Sequence, residues 1–271
     1  MESNITQINI EQIIKEKSEK LHRILPRFVT NYIRKMIHED EINEILNRYH
    51  GQNGIDFSNG IMTEFNVKFN VHNEEKIPST GKLIIACNHP LGGFDGLALI
   101  SLISRYRKDI KFPVNDFLMH IPNFQDIFIP INKVGSNSIE TARLFDEVFC
   151  SDNVVLYFPA GICSRKIDGK IQDLEWKKTF VAKAKQYQRD ILPVYFSGKN
   201  SNFFYNLSNL RKKLRIKANI EMAYLPNELF NQRNSSYNIY IGDLIRYQSL
   251  TPNKSDSEWA KEIRERVYSL C

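Results

Sequence analysis

The chain has 271 residues, 42% of them hydrophobic and 25% charged, and a formal net charge of +6. That length allows one sizeable core, as a single large domain or a domain with a helical extension, and the composition excludes a disordered or fibrous protein. No apolar run approaches the roughly 20 residues needed to cross a bilayer, and the opening MESNITQINIEQIIKEK is too polar for a signal peptide.

The expected location is therefore the cytoplasm. The four cysteines, Cys87, Cys150, Cys163 and Cys271, form no CxxC pair, so reduced thiols and no metal site are expected. The basic balance points to a polyanionic partner: nucleic acid, an anionic membrane surface, coenzyme A or an acidic carrier protein. The absence of a long basic tail and of zinc-finger or RNP-type motifs counts against nucleic acid.

In chain order, Ile10, Ile13, Ile14, Leu21, Ile24 and Leu25, then Phe28, Ile33, Met36 and Ile37, then Ile42, Ile45, Leu46 and Tyr49 recur at helical spacing. This predicts two or three amphipathic helices, with Pro26 breaking the first from the second. The segment GQNGIDFSNG is expected to end this N-terminal helical region, residues 1–61. In TEFNVKFNV, Phe65, Val67, Phe69 and Val71 alternate with polar residues as in a half-exposed strand.

Beyond it the short apolar runs KLIIAC, IFIP, VVLYFP and ILPVYF alternate with helical stretches at about 96–107, 138–150 and 174–188. That is the signature of βα units around a twisted, largely parallel central sheet flanked by helices, so residues 62–271 are read as one α/β domain. A last helix, Ser255 to Leu270, opens at a serine and carries Trp259, Ile263, Val267 and Leu270 at helical spacing, packing on the sheet.

The stretch CNHPLGGFDG, residues 87–96, follows the buried-looking strand KLIIAC and precedes a helix, the position where ligand sites collect in open α/β sheets. A carboxylate that holds one imidazole nitrogen leaves the other free to take a proton, which would make His89 a base and Asp95 its orienting partner. Equally, Pro90, Gly92 and Gly93 can simply make a turn in which His89 caps backbone groups.

Three later segments weigh on that choice. DIFIPINK, FPAGICS and ILPV follow the loop in order, and together the four resemble the motifs of the glycerophospholipid acyltransferase superfamily, the lysophosphatidic acid acyltransferase type. Asn88, His89 and Asp95 match its first motif with five intervening residues instead of four; Phe128 and Ile129 match its second; Phe158, Pro159, Gly161 and Ser164 its third; Pro193 its fourth. The resemblance covers about residues 82–196.

The resemblance implies transfer of an acyl group from acyl-CoA or acyl carrier protein, as co-substrate and without a cofactor, to a hydroxyl of a lipid precursor. His89 would be the base and Asp95 its partner, with Asn88, Gly92, Gly93, Phe158, Pro159, Gly161 and Ser164 around the substrate. A thioester is already reactive, so a base and oxyanion donors suffice and no covalent nucleophile is needed. The acyl chain is expected in an apolar groove.

The sequence also departs from the family. Ala160 stands where the third motif has glutamate, Cys163 where it has arginine, and Ile131 at the arginine position of the second. Lys133, Arg165 and Lys166 lie close by, so a shifted anion site built from them is expected. NHPLGGFDG with FPAG resembles the ornithine- and glycine-lipid O-acyltransferase branch, which implies a lyso-amino-acid lipid as acceptor. The alternatives are 1-acylglycerol-3-phosphate acylation, thioester hydrolysis on the same scaffold, and non-catalytic lipid binding.

Other side chains have blander readings. Cys163 reads as a small buried residue, and Ser164 as a hydroxyl donor or a turn residue. His22, His38, His50, His72 and His120 sit in no comparable constellation, and surface or capping roles are expected of them. KNSNFFYNLSNLRKKLRIK reads either as an amphipathic helix with a solvated basic end or as a contact with an anionic membrane surface, at which the protein would be peripheral.

Overall fold

The computed structural model describes residues 7–115, 118–131 and 138–271. In chain order its elements are α1 (Ile10–Lys17), α2 (Glu19–Ile24), α3 (Arg27–Met36), α4 (Glu39–Arg48), α5 (Gly54–Glu64), β1 (Lys68–His72), β2 (Leu83–Cys87), α6 (Gly93–Ile103), β3 (Ile110–Val114) and β4 (Phe128–Pro130). They continue with α7 (Ser138–Cys150), β5 (Val154–Tyr157), β6 (Arg165–Ile167), β7 (Lys170–Gln172), α8 (Thr179–Tyr187), β8 (Asp190–Phe196), α9 (Asn202–Lys213), α10 (Leu225–Phe230), β9 (Ser236–Ile241) and α11 (Asp256–Tyr268). These form two compact units, Met1–Gln52 with Ser201–Gln232, and Asn53–Asn200 with Arg233–Cys271.

The second unit is built on a seven-stranded sheet in the order β1-β9-β8-β2-β5-β3-β4, with β6 and β7 as a separate hairpin. Strands β8, β2, β5, β3 and β4 are parallel, β1 and β9 are parallel to each other, and the two groups meet at the antiparallel β8–β9 pair. The sheet is thus largely parallel and flanked by helices, as the alternation of apolar runs with helical stretches predicts.

All five residues of β2 are buried, the condition of a strand covered on both faces. Ile84 and Ala86 join one core cluster with Phe180, Val181 and Ala184 of α8 and with Trp259, Ala260, Ile263 and Val267 of α11. The two-residue period sends Leu83, Ile85 and Cys87 to the other face. Helix α11 starts where expected because Ser255 and Glu258 form a capping box.

Between α8 and β8, the fully buried guanidinium of Arg189 donates to the carbonyls of Leu83, Val148, Phe149, Ser151 and Asn153. It ties β2 to the end of α7 and the turn into β5. Burial lowers its pKa to about 10.

Several expectations need correcting. GQNGIDFSNG does not end the helical stretch: Asn53 accepts the Ile55 and Asp56 N–H groups at 3.0 Å and starts α5. A Cβ on Gly54 would lie 2.7 Å from Phe124 Cδ1 and Ile127 Cδ1, so this glycine permits a close approach instead of breaking a helix. Thr63 and Glu64 therefore finish α5, Phe65 caps it, and the alternating strand begins only at Lys68.

In the first unit Pro26 precedes α3 as expected, but Ser18 also separates α1 from α2, and left-handed His38 separates α3 from α4. Among the described residues up to Tyr49, four helices result instead of two or three. Glu39 accepts from the Ile10 N–H and from Arg34 Nε, both at 2.8 Å, and the His38 ring stacks on Phe230 at 4.3 Å. Ser201 caps α9, and its own N–H and hydroxyl donate to Glu228 at 2.7 and 2.5 Å.

Candidate active site

The site begins where β2 stops. Asn88 is 3% exposed, and its side chain takes both main-chain groups of Phe196 at the end of β8: Nδ2 donates to the carbonyl at 3.0 Å and Oδ1 accepts the N–H at 2.7 Å. The chain then turns through residues 89–92 into α6. Gly92, at φ +80° and ψ −127°, adopts a conformation closed to ordinary side chains, whereas a Cβ on Gly93 would meet nothing within 4 Å.

This turn folds His89 back onto the first turn of α6. His89 Nδ1 lies 2.9 Å from Asp95 Oδ1, and Asp95 Oδ2 accepts the Leu91 N–H at 2.9 Å. Asp95 is fully buried while the His89 side chain is 16% accessible. A neutral imidazole placed this way donates from Nδ1 to the carboxylate and keeps its Nε2 lone pair for a proton. Burial disfavours the charged ring, but the carboxylates of Asp95 and Asp173 outweigh burial and the opposing Arg165, so the His89 pKa is raised.

Strand β5 lies beside β2 with Ala86 opposite Tyr157, so the loops leaving the two strands are neighbours. Phe158, the next residue of β5's chain, stacks on the His89 ring with centroids 4.1 Å apart and planes 18° from parallel. Phe112 of β3 also meets Phe158, in a T-shaped contact with centroids 5.4 Å apart. The Ser164 N–H donates to the His89 carbonyl at 2.7 Å, bringing the far end of FPAGICS onto the same loop.

A buried carboxylate and an imidazole oriented by it, on a side chain 16% accessible, make a base for a hydroxyl. A family model described as Acyltransferase matches residues 12–271. The chain belongs to the acyltransferase family. The lyso-glycine lipid O-acyltransferase of Phocaeicola vulgatus is 40% identical to it over 270 residues, 99% of this chain and 97% of that protein. The protein of the same name from Bacteroides thetaiotaomicron is 40% identical over 264 residues, 97% of each. The crystal structure of the 1-acyl-sn-glycerophosphate (LPA) acyltransferase PlsC from Thermotoga maritima aligns over 96% of this chain and 88% of that one, at 14% identity and a TM-score of 0.49.

The remaining residues picked out in the sequence are distributed unevenly in the acyltransferase. Pro159 accepts the Lys177 N–H through its carbonyl at 3.0 Å, and Gly161, at φ +73°, closes a turn back to the Phe158 carbonyl. Arg165 is 1% exposed, and its Nη1 donates to the Cys163 carbonyl at 2.6 Å, lies 3.1 Å from Cys163 Sγ and reaches the Ser164 carbonyl at 3.3 Å. Lys166 is half-buried on β6. Lys133 lies outside the described residues.

Phe128 and Ile129 are on β4, which β3 separates from β5, and Pro193 sits on β8 opposite Ala86. Cys163 is buried, and burial, partly offset by Arg165, pushes its thiol up to about 11; a thiol held neutral is no nucleophile.

The sequence reading missed Asp173, Trp176, Tyr268 and Lys177. Asp173 accepts the His89 N–H at 3.2 Å and the Ser164 hydroxyl at 2.6 Å, while Trp176 Nε1 donates to its other oxygen at 2.8 Å. The Asp173 N–H donates to the Tyr268 hydroxyl at 2.7 Å. A Cβ on Gly161 would lie 3.0 Å from Lys177 Nζ, which places that cation at the FPAG turn. The signal that could have led to them was the Asp-Gly of RKIDGKIQ, a hairpin turn that returns the chain to the site just before Asp173.

Proposed function

We propose that the protein transfers a fatty acyl group from an acyl thioester to the hydroxyl of a lyso-amino-acid lipid, in the first instance a lyso-glycine lipid. The observation that carries the chemistry is the 2.9 Å contact of His89 Nδ1 with buried Asp95, which leaves the Nε2 lone pair for a proton. The names of the two 40%-identical relatives support the acceptor class.

In this reading His89 Nε2 removes the proton from the acceptor hydroxyl as its oxygen attacks the thioester carbonyl carbon. The tetrahedral intermediate then collapses, the C–S bond breaks, and the imidazolium returns its proton to the leaving thiolate. Asp95 holds the ring and stabilises its positive form, and Phe158 fixes its plane. Acyl-CoA or acyl carrier protein is the co-substrate, and no cofactor is required.

No described helix is long and apolar enough to cross a membrane. Contact with a membrane surface would instead use the first unit, where Phe28, Tyr32 and Phe203 are 73%, 56% and 53% exposed. Tyr224 links two of them, its hydroxyl 2.8 Å from that of Tyr32 and its ring 4.9 Å from Phe203. Lys212 and Lys213 end α9 exposed to solvent, as attraction to anionic lipid requires.

The test is a product analysis. The enzyme is incubated with acyl-CoA or acyl carrier protein donors and a panel of lyso-glycine lipid, lyso-ornithine lipid and lysophosphatidic acid, with lipids identified by mass. Formation of the diacylated glycine lipid, lost in His89→Ala, is expected. Phosphatidic acid as the main product would overturn the acceptor assignment, and fatty acid released equally fast without acceptor would make the enzyme a hydrolase.

A further inference from the structure

We infer that Asp173 is a second positioning residue for the base, holding the main chain of His89 where Asp95 holds its ring. The inference rests on His89 being the base.

Asp173 follows β7 and is 1% exposed. One of its oxygens accepts both the His89 N–H and the Ser164 hydroxyl, and the other accepts Trp176 Nε1–H. Ser164 in turn donates its own N–H to the His89 carbonyl. Both main-chain polar groups of His89 are therefore held by partners that are bonded to each other, a closed clamp of three residues from two segments.

Among the described residues, every side-chain or main-chain donor to the carboxylate is neutral. Both carboxylate oxygens accept, so an amide, with one acceptor oxygen, would turn a donor towards the indole N–H, and burial pushes the Asp173 pKa up. A buried negative charge becomes useful where a positive one forms, and in acyl transfer the positive charge forms on His89.

Among the described residues, the groups facing this centre are Asp95 from α6, Arg165 from β6 and the thiols of Cys87 and Cys163. From α11, the Tyr268 hydroxyl accepts the Asp173 N–H and Arg264 Nη2 donates to the Asp173 carbonyl at 2.8 Å. Asp173 and Asp95 are the two anions among them.

The test compares Asp173→Asn, Asp173→Asn combined with Trp176→Phe, Trp176→Phe alone and Ser164→Ala. An asparagine amide nitrogen would oppose the indole N–H, and removing the indole lets the asparagine oxygen keep His89 and Ser164. Thermal melts check folding, steady-state kcat and KM are followed across pH, and the His89 ring is titrated by NMR.

The expected result for the double variant is a fall of about 10- to 100-fold in kcat beyond Trp176→Phe alone, with KM changed less than about twofold. The acid limb of the pH profile and the His89 titration should both move to lower pH. Ser164→Ala, which cuts the clamp and keeps the charge, should lower kcat less and leave the titration in place.

Wild-type kcat and an unmoved His89 titration in the Asp173 variants would overturn the proposal. Full activity of His89→Ala would instead sink the base assignment, and the NMR titration separates the two failures because it needs no turnover.

Discussion

The imidazole of His89 lies flat against Phe158, with ring centroids 4.1 Å apart and planes 18° from parallel. The contact couples two strands of the sheet through one ring pair: β2 supplies the base and β5 the surface it rests on. A ring held by Asp95 at one edge and Phe158 on one face has little freedom about either side-chain torsion. Phe158→Ala should lower kcat by about 3- to 10-fold, the value of a stacked pair. Phe158→Tyr should stay near wild type, both read from steady-state kinetics on folded protein.

His89 must be neutral to accept a proton, and its pKa is raised by the flanking carboxylates against burial. The kcat/KM of the enzyme should therefore fall as pH drops through a value above the usual imidazole figure of about 6.5. Asp95→Asn removes the largest attractive contribution, so the acid limb should move to lower pH while the maximal rate drops about 100-fold or more. For stability, the raised pKa contributes fully below the unfolded imidazole value and the contribution is lost as pH rises through the folded one. An unmoved limb in Asp95→Asn, measured over a pH series, would refute the pairing.

The two adjacent glycines of the loop should behave oppositely. Gly92 sits at φ +80°, ψ −127°, so Gly92→Ala should cost about 1–3 kcal/mol of strain and spoil the approach of His89 to Asp95. Gly93→Ala places a methyl in open space at the first turn of α6 and should keep wild-type activity and melting temperature.

Arg189 holds five carbonyls and meets no substrate in the proposed mechanism. Arg189→Met should destabilise the protein by about 3–5 kcal/mol, because buried carbonyls lose their donor, with kcat per folded molecule unchanged. Denaturant titration alongside kinetics reads both quantities.

The central strands were legible because β2, β5 and β8 are buried on both faces, which writes them as unbroken apolar runs. The last helix was legible through Ser255 and Glu258, which carry its cap in local sequence. Helix α5 was not, since Asn53 and Gly54 serve there as a cap and a close contact while the same residues elsewhere mark a break. Strand β9 escaped notice although Tyr237, Ile239 and Ile241 alternate inward, its run being short and bounded by polar residues.

At the site, His89 and Asp95 were readable from one loop. Asp173 was not, because a lone aspartate carries no pattern and its meaning comes from a hairpin that returns it to a loop far away in the chain. Arg165 shows the converse limit: its charge was plain in the sequence, but its burial against Cys163 and Ser164 depends on packing that spacing does not encode.

The side chain of Asn88 takes both main-chain groups of Phe196, which a continuing β2 would otherwise meet with its backbone. In hydrogen-bonding terms β2 is one residue longer than its backbone. The ladder is completed by an amide that leaves the main chain free to change direction, and the polar groups of the next residue are released from the sheet. They are the same N–H and carbonyl that Asp173 and Ser164 take up. Replacing Asn88 by an apolar residue would therefore leave both main-chain groups of Phe196 without these partners at the root of the loop that carries the base.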